Sequence, residues 1–260
     1  MYSMKYDFII GEMQWSYSRL TSFEQCHYGW LLHYVLHEPT ESGFFAEYGS
    51  FVHLVIEQYL KGELEKDELV QYYMMHYHSQ VVTMPFSPEL ADKYYYKGLK
   101  FFQTFDFPHK NIVAVEDRIE FDLGGMPFVG YIDVISEEDG ELVITDHKSH
   151  DLKPFSRNYT KKKTKTDIEL ESYLRQLVLY AYGVKQKYGR YPKTLEFNCF
   201  KSGVMISIPF DESVVQPTID WAIRTIQEIT NESEWAPNID YFFCKNLCDC
   251  RKPCEYVNEE

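Results

Sequence analysis

The sequence predicts an α/β fold with a mixed sheet flanked by helices. The apolar residues have helical spacing from Trp15 to about Gln103, whereas short β-rich runs follow from Ile112 to Lys148. After them come a long helix, a hairpin and a further helix. A chain of 260 residues can bury a substantial core, so we expect a single domain. Its predicted parts are an N-terminal helical layer, an α/β core and a cysteine-rich tail, at residues 1–105, 106–230 and 231–260 of a domain spanning 1–260.

Each element is predicted from periodicity and from the turn residues at its ends. In chain order, the predicted helices and strands are helices near Ser18–Leu36, Phe45–Lys61, Asp67–Val81 and Pro88–Thr104; strands at Ile112–Phe121, Phe128–Ser136 and Glu141–His147; a helix at Ile168–Lys187; strands at Thr194–Phe200 and Val204–Ile208; and a helix at Glu212–Glu228. The tail after Trp235 is loop-like.

Composition limits the possible functions. A net charge of −14 argues against a protein that coats nucleic acid, because phosphate binding depends on clustered Lys and Arg. One basic run, Lys161 to Lys165 with Lys153 and Arg157 before it, fits a solvated loop or a phosphate contact equally well. No signal segment or membrane-spanning run is seen, so a cytoplasmic protein without a membrane partner is expected, and its clustered cysteines indicate a metal or a cluster rather than disulfides.

A hairpin signal at Asp139-Gly140 fixes the register of two strands. If Glu138 and Glu141 close the turn, Asp133 lies directly across from Asp146 on one face of the sheet. Opposed Cβ atoms are roughly 4.5 to 5.5 Å apart, which is close enough for two carboxylates to hold one divalent cation.

Lys148 lies two residues after Asp146 and points to the same face. Two acids and a lysine at a strand end form a coherent hydrolytic site, in which Mg²⁺ or Mn²⁺ would polarise a phosphodiester. Surface charge is the alternative interpretation of the acid-x-Lys triplet. A second triplet, Asp151-Leu152-Lys153, lies outside any predicted strand and has no upstream acid in register.

Six motifs along the chain resemble the RecB-like branch of the PD-(D/E)XK nuclease superfamily. The likeness is greatest to its iron-sulfur members: the CRISPR-associated RecB-like exonucleases, the AddB nuclease domain and small phage exonucleases. This resemblance implies a restriction-endonuclease-like core closed by a cysteine-rich clip. The motifs are Trp15-Ser16-Tyr17-Ser18 leading to Glu24-Gln25-Cys26, Gly49-Ser50-Phe51-Val52-His53, Gly130-Tyr131-Ile132-Asp133, Asp146-His147-Lys148, Gln176-Leu177-Val178-Leu179-Tyr180 and the terminal cysteines.

The resemblance implies roles for three further residues. His53 would be a metal ligand together with Asp133 and Asp146, although a helix histidine by itself is more often a core or surface residue. Gln176 and Tyr180 share a helix face, where the resemblance implies DNA contact and support of the lysine, and where packing is the alternative. Two acids receive lesser roles: Glu57 orients His53 or solvates its helix, and Glu116 could approach the metal but is more often an ordinary strand charge.

Four of the six cysteines lie within eleven residues of the tail. Thiolates at this density favour an iron-sulfur cluster or Zn²⁺. By resemblance, a 4Fe-4S cluster would be held by Cys26, Cys244, Cys248 and Cys254. The Cys244 to Cys248 gap is one residue longer than the usual spacing, and Cys250 is a possible substitute ligand. A zinc site that uses all four C-terminal cysteines is the alternative, and Cys199 is expected to be a core residue.

The resulting expectation is a Mg²⁺- or Mn²⁺-dependent DNA exonuclease acting on ends or single strands in phage DNA processing, recombination and repair, or CRISPR adaptation. A helicase, a recombinase or a CRISPR integrase is the kind of protein partner expected. Two alternatives stay open. One is a noncatalytic iron-sulfur module that binds DNA ends for a helicase or recombinase, and the other is a zinc-ribbon interaction protein with an incidental acidic hairpin.

Overall fold

The computed structural model describes residues 6–109, 111–149 and 151–257. Within these ranges a five-stranded sheet with the strand order β1-β2-β3-β4-β5 is flanked by helices. The mixed α/β fold predicted from the sequence is therefore confirmed. The elements are α1 (Asp7–Gly11), α2 (Tyr17–Gln25), α3 (His27–Tyr34), α4 (Phe44–Leu60), α5 (Leu69–Gln80), α6 (Pro88–Thr104), β1 (Ile112–Leu123), β2 (Met126–Glu138), β3 (Glu141–Lys148), α7 (Lys165–Tyr188), β4 (Thr194–Cys199), β5 (Val204–Pro209), α8 (Val215–Asn231) and α9 (Tyr241–Asn246), with short 3₁₀ turns at Glu212–Val214 and Glu255–Val257.

The sheet is mixed because of α7. Strands β1, β2 and β3 form an antiparallel meander, β3 pairs in parallel with β4, and β4 and β5 form a hairpin. A parallel pair needs a long crossover, which α7 provides. This helix starts in a capping box formed by Thr164 and Asp167 and ends at Gly189, whose φ of 79° suits glycine. Although α7 has 24 residues, neither it nor another described helix is long and apolar enough to cross a membrane.

Two hydrophobic cores cover the two faces of the sheet. One contains Trp30 of α3, Leu177 of α7 and Ile229 of α8. The other contains Tyr48 of α4 and Tyr73 of α5. The N-terminal helices are thus shared between the faces: α1 to α3 pack with α7 and α8, whereas α4 to α6 cover the opposite face. The division of the chain at residues 105 and 230 stays a prediction.

A break at Cys26 separates two helices where the periodicity predicts one helix near Ser18–Leu36. Cys26 is extended, with φ −163° and ψ 112°, and its Sγ accepts a hydrogen bond from the Gly29 amide at 3.3 Å. The thiol therefore caps α3 instead of continuing α2. Its sulfur also accepts from the Asn238 amide at 3.4 Å, so the break faces the C-terminal tail.

Candidate active site

The hairpin between β2 and β3 has the register that Asp139-Gly140 predicts. Both turn residues have positive φ, 51° and 81°, and the strand pairs run from Glu138 opposite Glu141 to Val134 opposite Thr145. The pairing ends there, one step before the predicted pair of Asp133 and Asp146. The Asp133 carboxylate accepts a hydrogen bond from the His147 amide at 2.6 Å, which ties the middle of β2 to the end of β3.

The alternation of side chains in β1 and β2 breaks beside Asp133. Ile132 belongs to the core under α7, but Val134 belongs to the core under α4. In a regular strand, residues two apart face the same side. Opposite this point in β1, Glu116 has a φ of 54°, which strains a non-glycine residue by roughly 1 to 3 kcal/mol. The local reversal lets both acids project into the same pocket.

Three side chains from three elements meet in this pocket. His53 of α4, Glu116 of β1 and Asp133 of β2 each place a nitrogen or oxygen atom within 4.8 Å of the other two. The His53 Nδ1 lies 3.5 Å from Asp133 Oδ2. The pocket is an open cavity of about 760 Å³, and Glu57 and Ser149 contribute to its lining.

A second group of predicted residues forms a chain of contacts beside the pocket. The Lys148 ammonium lies 2.8 Å from Asp146 Oδ2 and donates to Gln176 Oε1 at 3.0 Å. Gln176 in turn donates from Nε2 to the Tyr180 hydroxyl, also at 3.0 Å. Tyr180 can pack across β2 because Gly130 has no side chain, since a Cβ there would overlap the tyrosine ring. Packing and polar contact thus coexist on this helix face.

Burial and crowding perturb the acids of the pocket. Burial and the neighbouring Asp146 raise the pKa of Asp133 well above its usual range. Burial, Asp133 and Glu57 raise the pKa of Glu116 to about 7. Burial lowers the pKa of His53, which favours the neutral ring with a free lone pair. Carboxylate oxygens and an imidazole nitrogen are atoms of the kind that coordinate divalent cations, so this group could hold one.

Sequence reasoning underestimated Glu116. The expected trio was His53, Asp133 and Asp146, but the group that lies within 4.8 Å contains Glu116 in place of Asp146. Asp146 places one oxygen 2.8 Å from the Lys148 ammonium. A signal was available: if Leu123 and Met126 close the Gly124-Gly125 turn, the register places Glu116 opposite Asp133.

The cysteines of the tail gather around the start of α3. Cys26, Cys244, Cys248, Cys250 and Cys254 line one narrow cavity, whereas Cys199 is buried within β4. Burial, with the nearby Cys248 and Cys26, raises the pKa of the Cys244 and Cys254 thiols. Among the described residues, no three cysteine sulfurs lie within 4.8 Å of one another.

A mixed sheet that presents clustered acids and a lysine at a strand end, beside an open pocket, is the architecture of a hydrolase that acts on phosphodiesters. The comparison with known families agrees. The family model of the PD-(D/E)XK nuclease superfamily matches residues 14–255. The chain belongs to that superfamily.

One solved structure supports the fold. A crystal structure from Eubacterium rectale, of a protein named "Putative exonuclease", is 15% identical and has a TM-score of 0.54, covering 100% of this chain and 95% of the other. A structure of a protein named SSO0001 is 17% identical over 92% of this chain and 97% of the other, with a TM-score of only 0.32. A search of the curated proteins finds no match.

Proposed function

We propose that this chain is a Mg²⁺- or Mn²⁺-dependent DNA exonuclease that acts on ends or single strands. The observation that carries the proposal is the position of Lys148, whose ammonium is held between Asp146 and Gln176 beside the pocket of His53, Glu116 and Asp133. An ammonium held by two oxygens next to clustered acids is prepared to meet developing negative charge.

Each residue has a role in this proposal. His53, Asp133 and Asp146 would hold the cation, and Glu116 is close enough to join them. When bound, the cation supplies Lewis acidity toward the phosphodiester and lowers the pKa of a water molecule. The Lys148 ammonium donates hydrogen bonds to phosphate oxygens as negative charge develops on them, and Gln176 fixes the orientation of that ammonium. Tyr180 accepts from the Gln176 amide, which leaves the amide oxygen for the lysine.

The cysteine cavity supports a separate structural proposal. Cys26, Cys244, Cys248 and Cys254 would hold a 4Fe-4S cluster that joins the tail to α3, and Cys250 would stay outside it. Cys250 is 2% exposed, whereas the four proposed ligands are only partly buried, and its thiol donates to the Gly29 carbonyl at 3.6 Å. Protein that is purified without oxygen, lacks colour and contains zinc would contradict this assignment.

The direct test is a nuclease assay on Lys148→Ala. End-labelled single-stranded and double-stranded DNA are incubated with Mn²⁺ or Mg²⁺. We expect the variant to lose about 10²- to 10³-fold in rate, the usual cost of removing one charge-stabilising donor. Lys193→Ala is the matched control, because Lys193 is an exposed lysine beside Leu142, at the opposite end of β3.

The assay also tests the alternative of a noncatalytic module. DNA that is retained but not cut by either protein would replace the nuclease with an end-binding role. The biological setting, whether phage DNA processing, recombination and repair or CRISPR adaptation, is part of the proposal, as is a helicase, recombinase or integrase partner. The architecture of the site supports the chemistry and is neutral between these settings.

A further inference from the structure

The basic segment between β3 and α7 stands out against the charge of the whole chain. Residues 151–165 contain six of the 26 Lys and Arg side chains and one of the 40 Asp and Glu side chains, a net charge of +5. The rest of the protein therefore carries −19. All six cations are exposed. A concentrated positive segment on an acidic protein is an electrostatic footprint for a polyanion.

One buried carboxylate closes this segment into a defined loop. Asp167 is fully buried and accepts hydrogen bonds from the amide and hydroxyl of Ser156, at 2.7 and 2.8 Å, and from the amide and hydroxyl of Thr164, both at 2.7 Å. The two ends of the loop at residues 156–164 are thus tied to the first turn of α7. A loop fixed in this way loses little conformational entropy when it binds a ligand.

The inside of the loop is also ordered. The amides of Lys161 and Lys162 both donate to the Asn158 carbonyl at 2.9 Å. The rings of Phe155 and Tyr159 stack with centroids 4.5 Å apart, and Tyr159 remains 37% exposed. In the described part of the chain, Lys163 pairs with Glu171, but Lys161 and Lys162 form no ion pair. Two unpaired ammonium groups and an exposed ring therefore face solvent together.

The loop follows the acid pocket along the chain, and its anchor lies on the helix that carries Gln176. Ser149 lines the pocket, and the loop begins seven residues later. Its anchor Asp167 is nine residues before Gln176 on the same helix, which is about 13 to 14 Å at the rise of an α-helix. One strand of DNA spaces its phosphates about 3.4 Å apart when stacked, so this distance corresponds to roughly four nucleotides.

We propose that residues 156–165 form a phosphate-binding arm for single-stranded DNA, which holds the strand about four nucleotides from the position where it is cut. Lys161 and Lys162 contact backbone phosphates, and Tyr159 offers its face to a base. A combination of cations and exposed rings is typical of binding that tolerates any sequence. The inference rests on the proposed function, because it takes DNA as the polyanion.

The binding test compares two double variants with the wild type. In Lys161→Ala/Lys162→Ala the arm loses two charges, and Lys193→Ala/Arg224→Ala removes two exposed cations elsewhere as a control. Binding of a labelled twelve-nucleotide single strand is measured without divalent metal at several salt concentrations. We expect the arm variant to bind on the order of tenfold more weakly, with a salt slope reduced by about 1.4, because each phosphate contact contributes about 0.7. An unchanged slope, or an equal loss in the control, would overturn the proposal.

An activity test separates the arm from the active site. The arm variant should have a raised KM and an unchanged kcat on the twelve-nucleotide strand, and should match the wild type on a three-nucleotide strand that is too short to reach the loop. Equal KM values for both proteins on the longer strand would contradict the arm. If the wild type cuts neither strand while the difference in binding persists, the nuclease proposal fails and the arm stands. Loop-dependent binding of polyglutamate in place of DNA would instead assign the loop to an acidic protein partner.

Discussion

Two groups on the same sheet combine a histidine with two acids, and they differ in how completely their hydrogen bonds are made. In the first, His109 is buried and its two ring nitrogens bond Glu138 and Glu196. Glu196 is fully used as well, since its oxygens also accept from Thr145 at 3.1 Å and Ser207 at 2.6 Å. All the polar side-chain atoms of His109 and Glu196 therefore have hydrogen-bond partners within the protein.

The second group is the pocket of His53, Glu116 and Asp133. The His53 Nδ1 lies 3.5 Å from Asp133 Oδ2, and within the described residues the Glu116 carboxylate forms no hydrogen bond or ion pair. Burial and neighbouring carboxylates raise the pKa values of both acids. The same residue types therefore stabilise the fold where they are satisfied, and where they are not they are the groups that we propose bind a cation. This difference teaches more about function than the residue types alone.

The largest effect is expected in the satisfied group. Glu196→Ala leaves His109, Thr145 and Ser207 without their buried partner, which should cost about 3 to 5 kcal/mol of unfolding free energy. Urea unfolding measures the change. A loss of less than about 1 kcal/mol in unfolding free energy would contradict the claim that the His109 group stabilises the fold.

A second prediction concerns the close packing that positions the lysine. A Cβ at Gly130 would overlap the Tyr180 ring, so Gly130→Ala should cost about 1 to 3 kcal/mol and displace Tyr180 from Gln176. Nuclease activity should fall with it. Gly11→Ala is the control, since a Cβ there meets nothing within 4 Å and should change neither stability nor activity.

The His109 group should also reveal itself through pH. Burial alone lowers the pKa of His109, but its bonds to Glu196 and Glu138 outweigh burial and raise the pKa above 6.5. A histidine whose pKa is raised in the folded state stabilises that state fully below about pH 6.5, the pKa of the unfolded chain. This stabilisation is lost as the pH rises through the pKa of the folded state. The stability gap between wild type and His109→Gln should therefore shrink by on the order of 1 kcal/mol between pH 6 and pH 9. A gap that widens with pH would show the opposite sign.

The smallest effect belongs to the open pocket. The pKa of Glu116 is raised from 4.5 to about 7, so in the absence of metal its ionisation lowers stability as pH rises through that window. Glu116→Gln should therefore stabilise the metal-free protein by a few tenths to about 1 kcal/mol above pH 7, after allowance for solvent screening, and should have no such effect below pH 4.5. Destabilisation at every pH would mean that Glu116 is a structural residue.

Local sequence signals predicted much of this architecture. The Asp139-Gly140 turn predicted the register of β2 and β3 that is observed from Glu138 and Glu141 to Val134 and Thr145, because a two-residue hairpin leaves one choice of pairing. The contact between Lys148 and Gln176 joins residues 28 apart across a parallel crossover, so periodicity placed each residue on its element but only the family resemblance linked them.

The features that were not predicted depend on tertiary structure. The positive φ of Glu116 is a strained conformation that the surrounding strands impose, and a run of β-forming residues does not predict it. The break at Cys26 replaces a helical bond with a thiol cap, although the apolar spacing continues through it. His109 meets Glu196, 87 residues away, and no motif marks either residue.

The central claim is that the acid pocket is left unsatisfied for a divalent cation. Isothermal titration calorimetry of Mn²⁺ binding to chelator-treated protein tests this claim. Three proteins are compared: the wild type, Asp133→Asn and the control Glu138→Gln, which changes an acid of the satisfied group. We expect saturable binding in the wild type and in Glu138→Gln, and at least a tenfold loss of affinity in Asp133→Asn. Equal Mn²⁺ binding by Asp133→Asn and the wild type would contradict the account.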